Sequence, residues 1–133
     1  MKRKLRPVIN PEEFDKACEL ANLTDSEQKI IDYIRFKGVF TQPGLTKELG
    51  LRTKPPVLSI LCEVCRKIGN HIPEHFDSVR EWSKSVSEDK VRWDGNLICC
   101  IAMNIDGEKL VPESGTALYH TFAVHKELFQ GLD

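Results

Sequence analysis

The residues best equipped for chemistry are two cysteines and two histidines in one short stretch. They are Cys62 and Cys65 in a C-x-x-C spacing, then His71 and His75. Thiolates and imidazoles at such intervals are zinc ligands in small structural sites. Here five residues separate Cys65 from His71, against about twelve in the usual finger. Both cysteines also fall on a continuous helical pattern, with Cys65 in its apolar stripe, so buried thiols are the expectation and no metal is assigned.

A second set is acidic and basic. Asp94, Asp106, Glu108, Lys109, Glu113, His120 and His125 could supply the carboxylates and the base of a metal-dependent nuclease. Glu108 and Lys109 lack the intervening residue of the common Glu-x-Lys arrangement, and Asp94-Gly95 and Asp106-Gly107 read as turns. No spacing brings an acid, a base and a nucleophile together, so catalytic residues are not assigned and an enzyme is the less favoured expectation. Pro112-Glu113-Ser114-Gly115-Thr116 has neither the lysine nor the glycine spacing of a phosphate loop. No cofactor is expected.

The whole chain sets bounds on these readings. Its 133 residues suit one ordinary domain, and a hydrophobic share of 41% with 29% charged residues is that of a soluble globular protein. The strongest apolar run, residues 97–103, is strand-sized, so no membrane partner is expected. The basic start, Met1-Lys2-Arg3-Lys4-Leu5-Arg6-Pro7, lacks the apolar stretch of a signal peptide, which makes the cytoplasm the expected location. Five cysteines, an odd number, argue against a disulfide framework. A net charge of -1 excludes a general pull toward nucleic acid, so any attraction must come from local patches.

The elements that must position these residues follow in order. Asn10 can cap a helix with Pro11 in its first turn, and Phe14, Ala17, Cys18 and Ala21 then share one face. Thr24 and Glu27 form a capping box ahead of Ile30, Ile31 and Ile34, and Gly38 stops that helix. Val39-Phe40-Thr41 is a short extended piece. Thr41 or Gln42 starts a helix with Leu45 and Leu49 inward, Gly50 turns the chain, and Arg52-Thr53-Lys54 connects. After Pro55 and Pro56, the apolar residues Val57, Leu58, Leu61, Val64, Cys65 and Ile68 make a wide stripe, opposite Ser59, Glu63, Arg66 and Lys67.

Residues 69–73 break that helix, residues 76–82 form another short one with Trp82 half buried, and residues 83–90 make a polar surface loop. The last third is extended. Residues 97–103 form a buried strand, residues 104–107 a turn, residues 108–111 a returning strand, and residues 119–124 a further one. Adjacent Cys99 and Cys100 fall on opposite faces of their strand. The fold class is α+β: a helix-turn-helix, winged-helix-like unit packed with a small antiparallel sheet. Residues 1–22 are a basic arm and first helix, residues 23–69 the helix-turn-helix unit, and residues 70–133 complete one compact domain.

The segment at residues 24–68, with LTKELGLRTKPPVLSIL at its centre, resembles the winged-helix and helix-turn-helix DNA-binding proteins of bacterial regulators. It departs from their commonest pattern in two places. Thr46 stands where a small alanine is usual, and the double proline lengthens the turn. The later succession of Ile72-Pro73, LICCIAMNIDGEKLVPESG and a terminal aromatic segment is similar to small phage or mobile-element proteins of restriction and defence neighbourhoods.

These resemblances imply a DNA-binding regulator of transcription, or a specificity module, with double-stranded DNA as partner. In a helix-turn-helix the second helix enters the major groove with its N-terminal residues on base edges. Thr53, Lys54 and Ser59 are then the base-contact candidates, with Arg52 and the arm residues Arg3 and Lys4 on phosphate, and Arg66 and Lys67 as further nucleic-acid-binding candidates. The alternative is a protein-interaction module, with a homodimer or another protein as partner. The exposed face of that helix is poor in the usual base readers, and Glu63 repels phosphate unless it accepts from a cytosine.

Overall fold

The computed structural model describes residues 6–50, 57–86, 93–101 and 121–130. Over these residues the protein is α+β, with helices α1 (Pro11–Leu20), α2 (Asp25–Lys37), α3 (Gln42–Glu48), α4 (Val57–Gly69) and α5 (Pro73–Val86). Strands β1 (Val39–Thr41), β2 (Cys99–Ile101) and β3 (Thr121–Val124) complete it, with 3-10 turns at Asp94–Leu97 and Lys126–Leu128.

Local chemistry sets the helix ends. The Asn10 side-chain oxygen accepts from the Glu12 N–H at 2.8 Å, and Pro11 opens α1 without wasting a donor. At α2 the Glu27 N–H donates to the Thr24 hydroxyl at 3.2 Å, while the Thr24 N–H donates to the Glu27 carboxylate at 3.0 Å. This reciprocal box satisfies two helix-end donors that water would otherwise have to reach. Gly38 closes α2 at φ +75°, a conformation that costs a Cβ-bearing residue about 1 kcal/mol or more. Thr41 caps α3 by accepting from the Gly44 N–H at 3.0 Å.

The sheet order is β1-β3-β2, with both pairings antiparallel. Central β3 sets Phe122 opposite Phe40 on one side and Ile101 on the other. The Phe40 and Phe122 rings stack at 5.4 Å, and Trp93 lies 5.5 Å from Phe122. One hydrophobic core links Ile9 near the start to Leu128 near the end. Helix α4 is its centre, because Leu61, Val64, Cys65 and Ile68 are fully buried and the helix touches α1, α2, α3, α5 and the Asp94–Leu97 turn.

The structure corrects four expectations. Helix α5 is longer than residues 76–82, and Ser83 is a buried helical residue rather than the start of a loop. Its hydroxyl donates to the Asn96 side-chain oxygen at 2.6 Å and accepts from the Trp93 N–H at 2.9 Å, which offsets the cost of burying it. Trp82 is 1% exposed instead of half buried, with its ring edge-on to His125. Residues 94–97 form a 3-10 turn, so the buried strand begins at Cys99 and not at Leu97.

Cys99 and Cys100 take opposite faces, yet both are buried. The expected turn at residues 104–107, the returning strand at residues 108–111, and Tyr119 with His120 lie outside the described residues.

Candidate nucleic-acid interface

Helix α4 is amphipathic, so packing its apolar stripe inward leaves Ser59, Glu63, Arg66 and Asn70 exposed at successive intervals of four, three and four residues. These four form one outward row. Ser59 lies near the N-terminal end of the helix and Arg66 near its C-terminal end.

Arg66 is not an isolated cation. Its Nη1 lies 3.3 Å from Oδ2 of Asp94, and Nε of Arg80 donates to Oδ1 of the same carboxylate at 3.1 Å. The Asp94 side chain is only 4% exposed, while Arg66 is 50% and Arg80 27% exposed. A carboxylate buried to that extent needs such partners. The Arg80 guanidinium also lies 4.0 Å from the centre of the Phe76 ring, one helical turn back on α5. Three elements therefore converge on Asp94: α4, α5 and the 3-10 turn that carries it.

Lys67 turns the other way. Its ammonium donates to both carboxylate oxygens of Glu27 on α2, at 2.9 and 2.7 Å. Desolvation pushes the Glu27 carboxyl up, but hydrogen bonds from Lys67 and Thr24 outweigh it and hold the group below its ordinary value. Adjacent helical residues point about 100° apart, so Arg66 and Lys67 do not form one patch.

Of the other sequence-derived candidates, Ser59 is exposed on the α4 row, and Arg3, Lys4, Arg52, Thr53 and Lys54 lie outside the described residues. Arg6, the last cation of the basic start, is built into the fold. Its two Nη atoms donate to the two oxygens of Glu127 at 2.7 and 2.9 Å, with both side chains mostly buried. Arg80 was not singled out by the sequence. The available signal was the i, i+4 spacing of Phe76 and Arg80, which stacks an arginine on an aromatic ring when both lie on a helix.

Among the described residues, no group of three or more His, Cys, Asp or Glu is arranged to hold a metal ion. Cys65 is wholly buried, and burial pushes its thiol well above the ordinary range. His75 lies on α5 near Arg6, Glu13 and Glu127, where desolvation lowers its pKa. The ring Nε2 of His125 lies 2.6 Å from the carbonyl oxygen of Asn96, and since a carbonyl only accepts, that nitrogen carries the proton. His125 and Asn96 thus tie β3 to the 94–97 turn.

The α2 face has a different charge. Asp25, Asp32 and Glu48, with Lys29, Tyr33 and Phe36, line an open depression along α2 and the end of α3. Comparison of the chain with protein-family models, with curated proteins and with solved structures gives no significant match in any of the three. Among the described residues no helix is long and apolar enough to cross a membrane.

Proposed function

We propose that the protein is a DNA-binding regulator or specificity module that presents α4 to the major groove of a duplex, in the manner of a winged helix. The observation that carries this reading is the order of elements: helix α2, strand β1, helices α3 and α4, then β2 and β3, with β3 paired between the other two. A winged helix has this order, and α5 is an addition between its third helix and second strand. Residues 102–120 occupy the position of the wing in the chain.

Side-chain chemistry supports the same orientation. The α4 row offers a hydroxyl, a carboxylate, a guanidinium and an amide, a set that can address base edges and phosphate. The acids along α2 and α3 would repel a duplex from that face. A role within a mobile-element or defence system remains part of this proposal on the strength of the sequence resemblance alone.

The test is a titration of a fluorescent duplex followed by anisotropy at about 50 and about 200 mM salt, a span over which phosphate contacts lose much of their strength. Binding that weakens steeply with salt is expected. Absence of binding at the lower salt removes the proposal.

A second reading is a homodimer built on the edge of the sheet. Strand β1 is an edge strand with Val39 58% exposed, and Phe36 and Phe129 near it are 59% and 46% exposed. An edge with apolar neighbours can pair with its own copy about a twofold axis. Light scattering at micromolar concentrations decides it, since a strict monomer leaves this reading without support.

A further inference from the structure

We propose that Arg66 and Arg80, set side by side by the buried carboxylate of Asp94, form a clamp for a backbone phosphate of the duplex that α4 addresses. The inference rests on the DNA-binding reading above and adds to the sequence candidate Arg66 a second arginine, Arg80, and the carboxylate that pairs them.

Three observations carry it. Both arginines end on one carboxylate, so their guanidinium groups are neighbours although they come from different helices. Each guanidinium has five N–H donors. Arg80 commits Nε to Asp94 and rests on Phe76, and neither of its Nη groups makes a hydrogen bond among the described residues. Arg66 makes its one contact through Nη1 at 3.3 Å and is half exposed. The orientation of the pair is fixed while most of its donors stay available, and preorganised forks of this kind match the geometry of phosphate oxygens.

Charge is mixed: Arg66, Arg80 and Asp94 together carry one surplus positive charge, and Glu63, three residues before Arg66 on the row, is an exposed anion. A phosphodiester supplies one negative charge and two unesterified oxygens, enough to accept from both guanidiniums. The position is also suitable. Arg66 lies seven residues beyond Ser59 on the same face, about 10 Å along the helix axis, so a helix with Ser59 at base edges would bring Arg66 and Arg80 to the flanking strand.

Asp94 is a positioning residue in this account. It touches no nucleic acid and acts through the two arginines.

The experiment compares the full-length chain with Arg66→Gln and Arg80→Gln in duplex titrations at several salt concentrations, with thermal melts confirming that each variant is folded. Each substitution is expected to lower affinity roughly eightfold near 0.1 M salt and to reduce the salt slope by about one, whatever the duplex sequence. In the unsubstituted protein, the Nε–H resonances of both arginines are followed by NMR during titration with duplex and, separately, with inorganic phosphate. Movement of both with duplex supports the clamp without any substitution.

If the unsubstituted protein binds duplex while both variants bind equally well and neither resonance moves, the clamp is overturned and the DNA-binding reading stands. If the protein binds no duplex at low salt, both fall. Resonances that then move with inorganic phosphate alone identify a small-phosphate site in place of a nucleic-acid contact.

Discussion

The ammonium of Lys67 lies within 2.9 Å of both carboxylate oxygens of Glu27, and Glu27 is also the acid of the capping box that starts α2. One side chain thus ends a helix locally and ties it to α4, forty residues away. Folding lowers the Glu27 pKa, so at acidic pH the unfolded chain binds more protons than the folded one. The contribution is complete above the ordinary value of 4.5 and is lost as pH falls through the lower folded value. His75 acts earlier in the same descent, because desolvation lowers its pKa and stability begins to fall below its ordinary value of 6.5. Urea midpoints measured from pH 8 to pH 3 should show both steps. Glu27→Gln should flatten the acidic one and His75→Gln the higher one.

The same pair makes a prediction about binding. Lys67 already faces a full carboxylate, so it has less charge to offer a phosphate than Arg66, which shares Asp94 with Arg80. Lys67→Gln should therefore weaken duplex binding less than Arg66→Gln does, by anisotropy at one fixed salt concentration. An equal or larger loss would place Lys67 at the interface.

Gly69 ends α4 under the ring of Phe76. A Cβ built on Gly69 would fall 2.4 to 2.7 Å from three atoms of that ring, closer than real carbon contacts allow. Gly69→Ala should destabilise the protein by about 1–3 kcal/mol through overpacking, even though alanine is the better helix former. Gly50→Ala provides the contrast, since among the described residues nothing lies within 4 Å of its Cβ position and φ is +68°. Thermal melts of the two variants separate packing from backbone strain.

Ser83→Ala removes a hydroxyl that serves a buried acceptor on Asn96 and a part-buried donor on Trp93 together. A buried group left unsatisfied costs about 1–3 kcal/mol, so the variant should lose at least about 1 kcal/mol in denaturant unfolding. A change below about 0.5 kcal/mol, the usual size for a surface substitution, would show that water or a rearranged Asn96 replaces the hydroxyl.

Thiol chemistry should be muted in the folded state. Burial raises the Cys18 pKa to about 11 and carries Cys65 and Cys99 well above the ordinary range. Cys62 is partly exposed, although burial pushes it up as well. A disulfide reagent at pH 8 should label the native protein slowly and first at Cys62, because the thiolate is the reacting species. All five cysteines should react once the chain is unfolded in denaturant. Rapid native labelling of Cys65 or Cys99 would contradict their complete burial in the core.

The sequence by itself determined what depends on neighbours within a few residues. Asn10, Thr24, Glu27, Gly38 and Thr41 set helix ends through caps and permitted backbone angles, and the stripe from Val57 to Ile68 fixed which side of α4 faces the core. Only the tertiary structure decided where polar groups found their partners. Ser83 looked like a loop residue because a lone hydroxyl carries no sign of the Asn96 and Trp93 groups that satisfy it. Lys67 reads as a nucleic-acid contact from sequence because its partner Glu27 is forty positions earlier. Arg80 drew no attention, yet Asp94 brings it beside Arg66. Periodicity reports burial, which every apolar side chain seeks without direction. A hydrogen bond or ion pair is directional and close-ranged, so its partner is set only when the chain has folded and the two groups meet.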